Sequence, residues 1–276
     1  MLSRRQLLVS GLAVVPAFRA AAAPAVDVPS RSVKVVQTFR SPGPKPNGLQ
    51  ATAEGLWILD QGDNKAYLVA YNDGKVLRTL ETDSKAGSGI TFDGEALWLA
   101  STYSREIIRC DAKTGKTLRK YESPGAGPVS WSAGRTSPLA KPAAAPPKAA
   151  PAAAAKKAPG QRQATGAHGL EWKDGKLWIS NPPSQKVYRM DVKAWKPEFE
   201  FATAGDRPHG LGWEGNWLWC VDSNFNAFFK YDPKTGKIHE KVQLTDADPL
   251  PHGMTIWKNE MWYCDDVGVV CKFPLR

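Results

Sequence analysis

The chain has 276 residues, of which 42% are hydrophobic, with eleven tryptophans, four cysteines, four histidines and a formal charge of +10. This is enough apolar material for a large core and excludes a disordered chain. The charge is not spread evenly: Arg4, Arg5 and Arg19 sit at the start, and Lys141, Lys148, Lys156, Lys157 and Arg162 in one Ala/Pro-rich stretch. The remainder carries about +2, so no nucleic-acid partner is expected.

Residues 1–25 read as an export signal. Ser3-Arg4-Arg5-Gln6-Leu7-Leu8 resembles a twin-arginine motif, an apolar run from Leu7 to Ala17 follows, and Ala20-Ala-Ala-Ala-Pro24 is the expected cleavage region. The run is too short to span a membrane. A periplasmic or secreted protein, not a transmembrane one, is expected. Val33 to Phe39 then forms a strand with no repeat of its own.

From there a phrase recurs, seen best in His168-Gly-Leu-Glu-Trp-Lys-Asp-Gly-Lys-Leu-Trp-Ile-Ser-Asn181: two short strands around an Asp-Gly turn. Its first glycine recurs as Gly48, Gly89, Gly169, Gly210 and Gly253, at intervals of 41, 80, 41 and 43 residues. Trp57, Trp98, Trp178, Trp219 and Trp262 keep the same intervals. Such a period, built of short strands, is the signature of propeller blades. Each unit supplies four strands. In the third unit these are Gly169 to Trp172, Leu177 to Ser180, Lys186 to Asp191 and about Glu198 to Ala202. The turns at Gly115 and Gly236, inside the repeated Asp-x-Lys-Thr-Gly-Lys, require a positive φ. The repeated tryptophan is expected to fill the gap between blades.

The long interval holds an insert at about 130–165, whose stretch from Leu139 to Gln163 is almost wholly Ala, Pro, Lys and Gly. It reads as disordered, and it either tethers the molecule to an envelope surface or is a solvated loop. Trp131 is the one hint of a sixth blade. The last unit lacks its fourth strand, which Val33 to Phe39 supplies. The fold class is therefore all-β: a five-bladed β-propeller of four-stranded antiparallel blades, its ring closed by the N-terminal strand. Cys264 and Cys271 flank a hairpin turn and are either a disulfide or two buried thiols.

Repeat-equivalent positions converge on a propeller's axis. The residue before each index glycine is Asn47, Ser88, His168, His209 or His252. Three residues after each repeated tryptophan stand Asp60, Ser101, Asn181, Asp222 and Asp265. Two residues after the glycine stand Gln50, Thr91, Glu171, Gly212 and Thr255. The first two sets share one face, and the third faces the channel by strand alternation. Three readings stay open. In the first, His168, His209, His252, Asp222 and Asp265 hold a divalent metal such as Mg, Zn, Mn, Fe or Ni. In the second, His209, His252 and Glu171 are a metal-free acid–base set. In the third, the imidazoles only brace loops. Asn47, Ser88, Asp60 and Asn181 would contact a small-molecule ligand at the channel mouth.

Pro208-His-Gly-Leu-Gly-Trp213 and Pro251-His-Gly-Met-Thr-Ile-Trp257, each followed by a Leu-Trp or Met-Trp strand, resemble the repeats of streptogramin B lyases, within a group that includes gluconolactonase-like propellers. The resemblance covers nearly all of 33–276 outside the insert. It implies a propeller in which His209 and His252 act with acidic groups and magnesium to open a cyclic ester. Asn181, Asp222 and Asp265 resemble in type the metal-holding set of the gluconolactonase group. Plant-type glutamine cyclotransferases also have five blades, but their channel carboxylates are expected near Asn47 and Ser88, where this chain has none. The functional expectation is a metal-assisted lyase or hydrolase acting on a lactone, ester or related small molecule, or else a non-catalytic propeller that binds a ligand or protein.

Overall fold

The structure, a computed structural model, describes residues 27–130, 134–140 and 163–276. The expected export signal at residues 1–25, Trp131 and most of the insert lie outside the described residues. Every regular element described is a strand, and no helix among these residues is long and apolar enough to cross a membrane.

Five antiparallel blades form the ring. Their first strands are Pro46–Ala51, Gly87–Phe92, Gly169–Lys173, Pro208–Glu214 and Met254–Trp257, and each blade continues outward through its second and third strands. The first strands of successive blades pack side by side, and the fifth returns to the first. In blade 5 the outer strand is Val36–Arg40, paired antiparallel with Val269–Pro274, so the N-terminal strand closes the ring as expected, starting three residues later and ending one residue later than the sequence suggested. One pairing was not expected: Ser30–Arg31 adds a parallel fifth strand outside Ile238–Gln243 of blade 4. The fourth strand of blade 3 starts earlier than anticipated, as Lys196–Ala202.

The tryptophans explain why the blades stack. Each belongs to a cluster that joins its own blade to the next. Trp57 packs with Leu97 and Leu99, and Trp98 with Leu170 and Ile179. Trp178 packs with Leu211 and Cys220, Trp219 with Met254 and Tyr263, and Trp262 with Leu49 and Ile58. Five clusters thus occupy five interfaces. A lone four-stranded sheet would leave these faces wet, and burying a large aromatic contributes roughly 2–3 kcal/mol.

The index glycines have an equally direct cause. A Cβ on Gly89 would stand 2.9 Å from the carbonyl oxygen of His168, and one on Gly253 2.5 Å from that of Asn47. Gly48, Gly169 and Gly210 meet the next blade's backbone in the same way. Inner strands approach so closely at the axis that only glycine fits. Gly115 and Gly236 take φ of 75° and 73°, as their turns require.

The cysteines are buried free thiols. Cys264 lies opposite Val270 and Cys271 opposite Tyr263, so the two side chains leave opposite faces of the blade. Cys264 joins the core shared with blade 1, and Cys271 the core shared with blade 4. This one-residue offset in register rules out the disulfide.

Candidate functional site at the histidine end of the channel

The three histidines that precede Gly169, Gly210 and Gly253 meet at one end of the axis. The rings of His168 and His209 are 4.6 Å apart between centroids, and those of His209 and His252 4.8 Å, each pair edge to face. Their hydrogen bonds fix the tautomers. His209 Nδ1 lies 3.0 Å from the carbonyl oxygen of Arg207, so it carries the proton and donates. His209 Nε2 is then an acceptor, and His168 Nδ1 donates to it at 3.0 Å. His252 Nε2 accepts from the Arg207 guanidinium at 3.3 Å, while its Nδ1 donates to the Leu250 carbonyl at 3.4 Å. Only His168 Nε2 is left over: a buried lone pair with no partner.

All three imidazoles are neutral. Burial is the main cause, and the positive charge of Arg207 adds to it. His168 falls to about 3 and His252 to about 4, and His209 is also held well below the ordinary histidine value. The opposite shift appears three residues further along the same inner strand, where burial pushes the carboxyl of Glu171 up to about 8. Glu171 Oε1 accepts from the Trp172 amide at 3.0 Å and stands 3.3 Å from Thr91 Oγ1, which donates to Gln50 Oε1 at 2.6 Å. Thr255 Oγ1 bonds the Ala51 amide at 3.1 Å. The contacts of Thr91 with Gln50 and Glu171, and of Thr255 with Ala51, run between the inner strands of neighbouring blades.

The set Asp60, Ser101, Asn181, Asp222 and Asp265 is used differently. Asp60 accepts from the amides of Lys45, Gly62 and Asp63, and Ser101 from that of Lys85. Asn181 donates to the Pro124 carbonyl at 2.7 Å. Asp222 accepts from the amides of Arg207, Asn224 and Phe225, and burial outweighs them to raise its carboxyl to about 6. These side chains tie the strand that enters each blade to the turn that leaves its second strand. Asn47 and Ser88 complete the histidine ring. Ser88 Oγ contacts Thr102 Oγ1 at 2.5 Å, and Asn47 Oδ1, like His168 Nε2, is buried without a partner.

Four residues that the sequence did not single out shape the site. Arg207 braces two of the histidines. Asp266 Oδ2 stands 3.9 Å from His252 Nε2. Ser137, from the segment counted as insert, donates to Asp265 Oδ2 at 2.5 Å. Arg135 of that segment pairs with Asp246, accepts from Arg207 Nη1 at 2.9 Å through its carbonyl, and donates its amide to Asn224 at 3.0 Å. Residues 134–140 therefore strap the histidine end across blades 4 and 5, above a cavity of about 400 Å³ bounded by Lys45, Arg207 and Asp266. The expected open mouth is covered there. The strap lay hidden because it belongs to no repeat.

A metal centre needs convergent free lone pairs. Among the described residues, His252, Asp265 and Asp266 bring one ligand atom each within 4.8 Å of one another. Yet the His252 lone pair already accepts from Arg207, and Asp265 Oδ2 accepts from Ser137 and the Leu250 amide. His168 and His209 spend their facing nitrogens on each other. As arranged, these donors do not fit a divalent ion.

No family model matches this chain, and no curated protein does. Solved structures do. Myxococcus xanthus glutaminyl cyclase superposes with a TM-score of 0.64 at 9% identity, covering 90% of this chain and 97% of that one. Its architecture decides the comparison. This chain shares the propeller fold. The virginiamycin B lyase of Staphylococcus aureus superposes at 0.50 with 17% identity, over 88% of this chain and 99% of that one. The streptogramin B lyase-like resemblance of the Pro-His-Gly repeats is thus matched by a likeness of fold, and at these identities by fold alone.

Proposed function

We propose that the histidine end of the channel is a small-molecule site for metal-free proton transfer, in an exported lyase or hydrolase that opens a lactone, ester or related compound. One observation carries the reading: the neutral imidazole cluster leaves a single unpartnered lone pair, on His168 Nε2, in a channel that also holds a protonated carboxyl. Oppositely shifted groups of this kind supply a base and an acid at one pH. His168 Nε2 takes a proton from water or from carbon beside the carbonyl, and a carboxyl returns one to the leaving oxygen. The two groups stand about 10 Å apart along the strand, so a substrate of several bonds would span them.

His209, His252 and Arg207 hold His168 in its tautomer and are positioning residues. The base is His168 rather than His209, because His209 has no free nitrogen. A base held near 3 is weak. Displacement of the strap 134–140 rehydrates the cluster and lifts the imidazoles toward their ordinary value. Substrate entry and activation are then one event.

The test is hydrolysis or linearisation of virginiamycin B and a panel of simple lactones, followed by mass spectrometry. Activity that His168→Gln removes while the fold is retained supports the reading. Wild-type turnover that persists in His168→Gln refutes it. A second reading is favoured by the burial of His209 and His252, at 2% and 1% exposure: the cluster is a polar axle and the propeller a binding module. It predicts no turnover by the wild type or by a strap deletion.

A further inference from the structure

The face opposite the histidines carries a second repeated device. In blade 2, Asp93 accepts from Trp98 Nε1 at 2.7 Å and from Arg109 Nε at 3.1 Å. In blade 4, Glu214 accepts from Trp219 Nε1 at 3.0 Å and pairs with Lys230 at 2.8 Å. Each acid stands five positions before its tryptophan. In blade 3 that position is Lys173.

The consequence is a set of donors without their acceptor. Arg189 lies over Trp178 at 5.8 Å, as Arg109 lies over Trp98 at 5.7 Å. Its Nε is buried without a hydrogen-bond partner, and so, among the described residues, is Nε1 of Trp213 on the neighbouring blade. Glu198 reaches Arg189 only at 3.5 Å and is shared with Lys176 at 2.6 Å. Beside them a cleft of about 380 Å³ opens between blades 3 and 4, lined by Lys173, Trp178, Arg189, Glu198, Trp213 and Lys234. That volume suits a small ligand. The other two blades are built differently: in blade 1 Thr52 holds the acid's position and Glu54 takes Arg78 at 2.8 Å, and in blade 5 Trp257 holds it, with Tyr71 stacked on it at 5.5 Å and Trp262 Nε1 buried without a partner.

We propose that this cleft binds a small organic carboxylate. Its oxygen takes the place held by Asp93 Oδ2 in blade 2 and Glu214 Oε2 in blade 4. Lys173 and Lys234 add positive charge, and a flat apolar body lies against the edge-to-face pair Trp178 and Trp213, whose centroids are 5.3 Å apart.

Sodium benzoate is the probe and benzamide the uncharged control, titrated calorimetrically into the full chain. Benzoate should bind saturably and benzamide should not. Arg189→Gln should weaken binding about tenfold or more. Lys173→Glu, which restores the missing acid, should abolish binding and raise Tm, whereas His168→Gln should leave binding unchanged. No benzoate binding by the folded wild type, equal binding of benzamide, undiminished binding in Lys173→Glu, or its loss in folded His168→Gln each overturns the proposal.

Discussion

Ser137 Oγ donates to Asp265 Oδ2 at 2.5 Å, and this bond fastens a segment from outside the repeats onto the last blade beside His252. Asp265 also accepts from the Leu250 amide two residues before His252, so one carboxylate holds both the strap and the loop that presents the imidazole. Ser137→Ala removes one bond to a buried carboxylate and should lower stability by about 1–3 kcal/mol. The histidines beneath should become open to diethyl pyrocarbonate. Urea unfolding and the rate of histidine modification measure the two effects. An unchanged modification rate would show that the strap does not shield them.

The axial glycines give a test of geometry. Gly89→Ala places a methyl 2.9 Å from the His168 carbonyl oxygen, and should cost about 2 kcal/mol or more because the obstacle is backbone. Gly127→Ala meets nothing closer than 4.0 Å and should lie within about 0.5 kcal/mol of the parent. Thermal unfolding of the pair checks both values.

Glu171 gives a signed pH effect. Its carboxyl is near 8 in the folded protein and 4.5 when free, so between these values the unfolded state has lost a proton that the folded state keeps. Stability from this group is full below about 4.5 and is lost as pH rises through 8. Glu171→Gln should flatten that limb and stabilise the protein at pH 8 by a few kcal/mol. The histidines act in the opposite sense. Their folded values lie below 6.5, so their contribution is present above 6.5 and is lost as pH falls toward 4 and 3. Denaturant titrations across pH 4 to 9 separate the two limbs.

Magnesium, zinc or manganese at millimolar concentration should leave Tm unchanged, because the lone pair of His252 and the oxygens of Asp265 already have partners. Binding to the native state would raise Tm by mass action. A rise would show that Arg207 gives way to an ion.

The sequence revealed most where backbone geometry is unforgiving. Gly89 and its equivalents touch the next blade, and Trp98 and its equivalents fill one gap each, so both recur at fixed intervals. Closure by the N-terminal strand was legible from a missing partner. Side-chain roles were less legible, because Asp222 and the other members of its ring occupy repeat positions yet serve their own loops. Nothing local to Ser137 or Arg135 announces that they cross to blades 4 and 5. Arg207 was within reach, standing two residues before His209 in the same repeated turn. So was Lys173, which breaks an acidic pattern shared by Asp93 and Glu214.

Blade 5 takes its outermost strand, Val36–Arg40, from the opposite end of the chain. The partner of that strand, Val269–Pro274, is synthesised long after it, and the circle cannot close before then. Until then Val36–Arg40 waits unpaired. Closure of the ring is consequently all or nothing and waits for both strands to be made.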